Sequence, residues 1–389
     1  MGSNLKIISE QRIKMNPLDF AISLRYRLLY LFHFWQEKGF RATYNFTIAR
    51  VYWATGVLQN LLLKRLAPII QPYPCLIEVE PTTRCNLKCR MCEHTYWREP
   101  QRDMSFKEFK KIIDQFPHLK WIGLTGIGSS FLNKDFMKML QYVKSKKIYV
   151  ELYDTFFLIN KEKAKELMDL GVDRILPSID AATKETYEKI RVGSDFETVV
   201  RNLKNLIGIK KERHLIFPEL SFHYIISKLN VHEVVKFIDF VHSIDATTKK
   251  IAFTTLLHPF KEVQGDYLLS VPEKIIQEAE RRGKELGIRI GWNFNVRDEK
   301  CRPVIGECTF WIVPFIFATG HVIICCAGNE ANSRELQKKY SFGNILEKPF
   351  REIWNSKEYK KARKLIRQGI CPVQCRGCPS FNTSSKTKK

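Results

Sequence analysis

Cys85, Cys89 and Cys92 lie within one eight-residue run, Cys85-Asn86-Leu87-Lys88-Cys89-Arg90-Met91-Cys92, directly after an apolar, strand-like stretch at 76–80. Thiolates this close together can address one metal centre. A structural zinc site normally takes four protein ligands and is closed, whereas only three are local here. A [4Fe-4S] cluster held by three cysteines keeps one iron open to a ligand that is not protein, and thiolate-rich sites suit iron-sulfur chemistry as well as zinc. On spacing alone, a zinc knuckle completed by a distant Cys or His stays open.

The elements that must carry this loop repeat regularly. Short apolar segments at 76–80, 121–125, 149–153, 174–179, 219–226 and 250–256 alternate with helical stretches at 105–116, 134–144, 161–170, 196–207 and 231–243, and a last helix spans 272–286. Six strand-helix units in succession predict an α/β fold with a parallel sheet and right-handed crossovers, whose ligands sit at the carboxyl ends of the strands. The cysteine loop leaves from that end.

Three more motifs fall at strand ends. Gly126-Ile127-Gly128-Ser129-Ser130 follows the second strand, Pro177-Ser178-Ile179-Asp180 closes the fourth, and Ile190-Arg191-Val192-Gly193 comes next. With the cysteine run, this ordered set resembles the radical S-adenosylmethionine (radical SAM) superfamily. The resemblance implies a partial (β/α)6 TIM-like barrel and a [4Fe-4S] cluster on Cys85, Cys89 and Cys92, with S-adenosylmethionine on the open iron. Where the family usually carries Glu-Pro after its glycines, this chain has Ser129-Ser130. Gly126, Gly128 and Ser129 are then the candidates near the methionine amino group, and Ser178 and Arg191 those for its carboxylate, Arg191 by charge-assisted hydrogen bonds. Asp154, at the end of the third strand, is the candidate catalytic residue, contacting ribose or moving a proton. A loop-capping aspartate is the alternative.

A second set of cysteines occupies the last hundred residues: Cys308, then Gly320-x4-Cys325-Cys326, then Cys371-Pro372-Val373-Gln374-Cys375-Arg376-Gly377-Cys378. With Phe342-Gly343-Asn344-Ile345 and Ile353-Trp354-Asn355-Ser356 between them, they resemble the SPASM/twitch extension of radical SAM enzymes. This implies one auxiliary [4Fe-4S] cluster on Cys308, Cys325, Cys375 and Cys378, with Cys371 or Cys326 as alternates; a four-cysteine zinc site is the competing reading. The expected organisation is a helical segment at 1–73, the barrel at 74–290 and the cluster domain at 291–389. Cys75 and Cys301 read as ordinary thiols, and the nine histidines, His223 among them, show no metal-ligand spacing and read as surface or core residues.

Lys and Arg total 64 against 41 Asp and Glu, a net charge of +23, in a chain of ordinary hydrophobic content at 44%. Eleven cysteines without a secretory signal point to a reducing, cytoplasmic setting. The first 74 residues hold ten Lys and Arg against three acids, and interleave them with Trp, Tyr, Phe and Leu. Arg25 and Arg27 interrupt one apolar run, and the uncharged stretch 51–63 is too short to cross a bilayer. The segment therefore reads either as an interfacial helix on an anionic membrane or as a cap buried on the barrel. The basic residues are dispersed and no RNA-binding motif is attached, which argues against nucleic acid. The resemblance implies reductive cleavage of S-adenosylmethionine, with electrons from a reductant such as ferredoxin or flavodoxin, and hydrogen abstraction from an unactivated C-H bond. The amino-terminal character makes a membrane lipid hydrocarbon chain the leading substrate expectation, undergoing C-C bond formation or desaturation. Peptide maturation and sugar dehydrogenation or epimerisation are alternatives, and an iron-sulfur or zinc scaffold is the non-enzymatic one.

Overall fold

The computed structural model describes residues 17–62, 73–256, 261–293, 296–297, 303–304, 310–326, 333–368 and 370–376. In chain order the elements begin with helix α1 (Pro17–Leu62), β1 (Leu76–Val79), β2 (Lys88–Cys89), α2 (Glu93–Tyr96), α3 (Phe106–Ile113), β3 (Trp121–Leu124) and α4 (Phe136–Ser145). There follow β4 (Tyr149–Asp154), α5 (Lys161–Leu170), β5 (Arg174–Pro177), α6 (Lys184–Ile190), β6 (Arg191–Val192), α7 (Phe196–Glu212), β7 (Glu219–Leu220) and β8 (Phe222–Ile226). The chain continues through α8 (Val234–Ile244), β9 (Lys250–Thr255), α9 (Glu273–Glu285), β10 (Arg289–Asn293), β11 (Val296–Arg297) and β12 (Pro303–Val304). It closes with β13 (Phe315–Ile316), β14 (Val322–Ile323), α10 (Arg334–Lys339), α11 (Phe350–Asn355) and α12 (Lys357–Arg367).

Parallel pairing joins β1 to β3, β3 to β4, β4 to β5 and β5 to β7. β8 continues through β9 to β10, and a parallel bridge between Ser178 and His223 links the two sheets into one curved wall. The six strands expected from sequence are all present, and β10 adds another parallel strand that passes through the 290/291 boundary. Its Arg289, Gly291 and Asn293 alternate with Ile290 and Trp292, so it lacks the continuous apolar run that marks its neighbours. At the other edge β13 lies parallel to β1, with Glu78 opposite Phe315, and turns back antiparallel into β14. The wall is thereby extended by a hairpin from the carboxyl-terminal region.

Helices cover the outer face and start where the sequence supplies caps. Ser105 and Glu108 form a reciprocal capping box, and Asn160, Thr183, Asp195, Ser333 and Ser356 accept backbone N-H bonds at their helix starts. Ile77, Ile122, Val150, Leu152 and Ile175 pack beneath them without solvent exposure beyond 1%. Burial on both faces of a parallel sheet explains why these strands read as apolar runs.

Helix α1 bends sharply at Gly39, whose φ of 78° and ψ of 171° suit glycine far better than any residue with a β-carbon. The two limbs fold back on each other, with Phe34 and Phe46 stacked at 5.1 Å. Together they press on Tyr149, which opens β4, and on Phe217, just before β7. Tyr30 Oη donates to Glu219 at 3.0 Å, Asn45 Nδ2 to the Lys147 carbonyl at 2.8 Å, and the amides of Ile216 and Phe217 to Glu37. The hairpin thus plugs the amino-terminal ends of the strands, which is the cap alternative for its inner face. Among the described residues no helix is long and apolar enough to cross a membrane. Replacing Phe46, 5% exposed, by Ala should cost about 3–5 kcal/mol in chemical denaturation, the range for removing a buried aromatic ring.

Candidate active site

The cysteine loop is held by two clamps. β2 pairs antiparallel with β6, so Cys89 sits opposite Arg191 and Lys88 opposite Val192, and the Arg90 amide donates to the Ile190 carbonyl at 2.8 Å. The Ile-Arg-Val-Gly stretch therefore builds the loop as well as supplying a charge beside it. Arg90 makes two bonds to Asp266, at 2.7 and 3.2 Å, which fasten the loop to the chain after β9. Thr95 Oγ1 closes the turn on the Cys89 carbonyl at 2.6 Å.

Arg191 is the cation of the site. It is 8% exposed, pairs with Asp180, and brings Nη1 to 3.8 Å from Cys89 Sγ. Burial opposes its charge, but Asp180 and Cys89 outweigh that and hold it protonated. Asp180 is anchored in turn by the Ile225 amide at 2.8 Å. Burial pushes the Cys92 thiol up to about 12 and raises those of Cys85 and Cys89, with Arg191 opposing the shift at Cys89. Ligation of iron must displace these protons.

Among the described residues, no three Cys, His, Asp or Glu side chains converge on one point. In a [4Fe-4S] cluster each thiolate holds a different iron, so three cysteines spread along one loop fit it. Buried polar atoms nearby also lack hydrogen-bond partners among the described residues: Ser129 Oγ, Asp154 Oδ2 and Arg191 Nε. Such atoms are rare unless a ligand or water completes them.

The glycines after β3 make room for the chain itself. A β-carbon on Gly126 would fall 2.4 Å from Glu80 Cγ, and one on Gly128 would fall 2.3 Å from the Thr82 carbonyl oxygen. Both accommodate the chain's own residues after β1, and the Ser129 amide seals that contact on the Arg84 carbonyl at 2.7 Å. Asp154 both caps and remains open. Its Oδ1 accepts from the Phe156 amide at 2.7 Å, while burial lifts the carboxyl to about 7 against that bond and the nearby Lys163 and Arg191.

Ser178 lies at the end of β5, its amide on the Asp154 carbonyl at 2.8 Å, beside His223. In β8, Phe222, Tyr224 and Ile226 are buried, so His223 faces the inner side of the wall and meets Thr254 Oγ1 at 2.7 Å. This is a histidine that sequence reasoning leaves among the surface and core residues. The apolar alternation of 222–226 is the one signal that could have found it. On the same inner face Tyr153 donates to Glu151 at 2.9 Å, and Arg174 bridges Glu151 and Glu219.

Cys308 and Cys378 lie outside the described residues. Cys325 and Cys375, each 3% exposed, both influence Tyr359, a ring packed on Phe342 and Trp354 and capped by Arg363. Of the alternates, Cys371 turns its thiol to the Cys375 carbonyl at 3.3 Å. Cys326 packs instead on Phe315, Phe317 and Ile323, near enough to Tyr153 to affect its titration. A residue that sequence reasoning missed joins the two regions. Arg334 in α10, 1% exposed, pairs with Glu80 at the end of β1, stands 4.2 Å over Phe317, and gives its amide to Glu93 beside Cys92 at 2.7 Å.

Curved parallel wall, cysteine loop at the carboxyl ends and appended cysteine hairpin define a cluster-bearing radical enzyme. The radical SAM superfamily profile matches residues 79–241, and the SPASM iron-sulfur cluster-binding domain matches 308–379. The chain belongs to the radical SAM superfamily and carries a SPASM domain, so its cofactors are S-adenosylmethionine, a [4Fe-4S] cluster and auxiliary iron-sulfur. It is 26% identical over 317 residues to the tungsten-containing aldehyde ferredoxin oxidoreductase cofactor-modifying protein of Pyrococcus furiosus, covering 77% of this chain and 86% of that one. It is 25% identical over 341 residues to the AdoMet-dependent heme synthase of Methanosarcina barkeri, covering 78% and 91%. Streptococcus suis SuiB bound to S-adenosylmethionine shares the fold, with a TM-score of 0.62 at 14% identity over 80% of this chain and 77% of that one.

Two outcomes test the site. Arg334→Met should cost about 3–5 kcal/mol in denaturation by stranding the buried Glu80 carboxylate, and adding Glu80→Gln should recover part of it. Because the folded Asp154 carboxyl titrates near 7 instead of the usual 3.8, its contribution to stability is full below pH 4 and is lost as pH rises through 7. Asp154→Asn should therefore flatten the pH dependence of thermal unfolding between 4 and 7.

Proposed function

We propose that this protein cleaves S-adenosylmethionine reductively and directs the resulting 5'-deoxyadenosyl radical at a C-H bond of a polar substrate held against the inner face of the barrel. The observation that carries this reading is the clamped cysteine loop at the carboxyl ends of a parallel wall, with Arg191 set against Cys89. In this reading Cys85, Cys89 and Cys92 hold the [4Fe-4S] cluster, which when bound supplies one electron to the sulfonium, releasing methionine. Arg191 and Ser178 receive the methionine carboxylate. Asp180 balances the charge of Arg191 and fixes the plane of its guanidinium. Ser129 and Asp154 offer the unpartnered oxygens that meet the amino and ribose groups.

Cys308, Cys325, Cys375 and Cys378 would hold one auxiliary [4Fe-4S] cluster, which would supply an electron acceptor for the substrate radical. A low-potential carrier such as ferredoxin or flavodoxin supplies the first electron.

The substrate expectation changes with the geometry. The basic, aromatic amino-terminal segment suggests a lipid, yet that segment covers the amino-terminal ends of the strands, away from the cysteine loop. The inner face presents Tyr153, His223, Thr254 and the Glu151-Arg174 pair. These groups suit a hydroxyl- or amine-bearing molecule, such as a sugar or a small cofactor precursor, better than a hydrocarbon chain, which would desolvate them without offering a hydrogen bond in return. The curated relatives named for cofactor modification and heme synthesis act, by those names, on small cofactors.

Anaerobically reconstituted, reduced protein should form 5'-deoxyadenosine, detected by mass spectrometry, more rapidly with a polar metabolite extract than with a lipid extract of the same cells. Cys89→Ala should abolish that product, because two thiolates hold the cluster poorly. Undiminished cleavage by the variant would refute the cluster assignment, and stimulation by lipid alone would return the hydrocarbon substrate.

A further inference from the structure

The amino-terminal hairpin is apolar on both faces, and only one of them is used. Inward, Phe34, Ala42, Phe46 and Ala49 are buried on the barrel. Outward, Phe40 at the bend is 77% exposed, and Leu28, Leu29, Phe32, Trp35 and Tyr44 are each 47–58% exposed. A helix that is hydrophobic all round normally has partners all round. Isolated exposed apolar side chains need no explanation, but a contiguous set does.

The charge on this surface is of one sign. Arg25, Arg27, Arg41 and Arg50 are exposed on the same hairpin. The only acid between residues 25 and 52 is Glu37, and it is spent on Lys38 at 3.2 Å and on the amides of Ile216 and Phe217. Each candidate occupant meets that pattern differently. A second copy of the chain docking face to face would set four arginines against the same four, since an isologous contact repeats its own surface. An acidic protein would satisfy the arginines and leave the rings of Phe32, Trp35 and Phe40 without matching apolar contacts. An anionic bilayer meets both needs, with lipid phosphates on the guanidinium groups, Trp35 and Tyr44 at the headgroup level, and Leu28, Leu29, Phe32 and Phe40 at the acyl boundary.

We propose that the outward face of the 25–51 hairpin is a docking surface for an anionic lipid bilayer, on which the protein lies without spanning it. This goes beyond the reaction assigned above and does not depend on it. It also fixes an orientation. The hairpin plugs the amino-terminal ends of the strands and the cysteine loop leaves the carboxyl ends, so a docked protein turns its reaction site away from the lipid. Substrate and reductant then approach from the aqueous side.

Vesicle flotation of the full-length protein tests the surface, using phosphatidylcholine vesicles with and without phosphatidylglycerol. The wild type should float with the anionic vesicles and stay behind with the neutral ones, and raised salt should release it. The triple variant Phe32→Ser/Trp35→Ser/Phe40→Ser should lose at least tenfold in bound fraction, as should Arg25→Glu/Arg41→Glu. All changed side chains are exposed, and unaltered circular dichroism together with unaltered 5'-deoxyadenosine formation in solution would show that the fold is intact. Absence of wild-type flotation, or equal flotation by the triple variant, overturns the proposal. So does a concentration-dependent dimer that the triple variant abolishes without any vesicle binding by the wild type, because the face would then belong to a second copy.

Discussion

A buried charge pair between Glu80 and Arg334 holds the two halves of this protein in register. Glu80 directly follows the first strand, is fully buried, and accepts from the Ile127 amide, the Ala318 amide and the Arg334 guanidinium. One carboxylate therefore touches the loop after β3, the turn of the β13-β14 hairpin and helix α10. Taking such a pair out of water is costly, and it repays that cost only when the remaining lone pairs are satisfied. Glu80 meets that condition with two backbone amides, whereas Arg334 Nε and Nη1 make no hydrogen bond among the described residues. The guanidinium is enclosed by the rings of Trp97 and Phe317, which lowers the local dielectric and strengthens the attraction. A hydrophobic contact could join the domains with comparable energy, but it would not set their relative rotation as a directional pair does.

Much of the barrel was legible because its strands are buried on both faces. Residues 76–79, 121–124, 149–154 and 250–255 stand out as apolar runs between capped amphipathic helices, and the cysteine spacing locates the reactive loop among them. Other parts depend on contacts between residues far apart in sequence. Nothing local to Gly126 or Gly128 shows that Glu80 and Thr82 lie beneath them. Arg191 was legible as a cation near the cofactor, whereas its strand pairing with Cys89 spans 102 residues and appears only in the fold. Glu80 and Arg334 lie 254 residues apart and have no sequence signature. The hairpin at 17–62 resisted a single reading because one face behaves as core and the other as an exposed apolar surface.

The adjacent cysteines of the appended domain show how finely position divides chemistry. Cys325 is buried beside Tyr359, whereas Cys326 leans on Phe315 and Phe317 toward Tyr153. One residue step along the chain that follows β14 therefore moves a thiol from the side of Tyr359 to the side of Phe315 and Phe317. The resemblance makes Cys325 the expected ligand and Cys326 an alternate, and the fold gives the two thiols different surroundings.

The parallel pairing of β13 with β1 ties the two cysteine-bearing segments to one sheet. The loop of Cys85, Cys89 and Cys92 leaves just beyond β1, and Cys325 leaves just beyond β14, which is hydrogen-bonded to β13. Both cysteine-bearing segments are thus indexed to neighbouring rungs of one ladder instead of being joined by a hinge. A slip of one residue in that ladder would shift one segment by about 3.3 Å along the strand and turn every side chain of the slipped strand to the opposite face. The hairpin works as a ruler, fixing how far the segment of Cys325 stands from the loop of Cys85, Cys89 and Cys92.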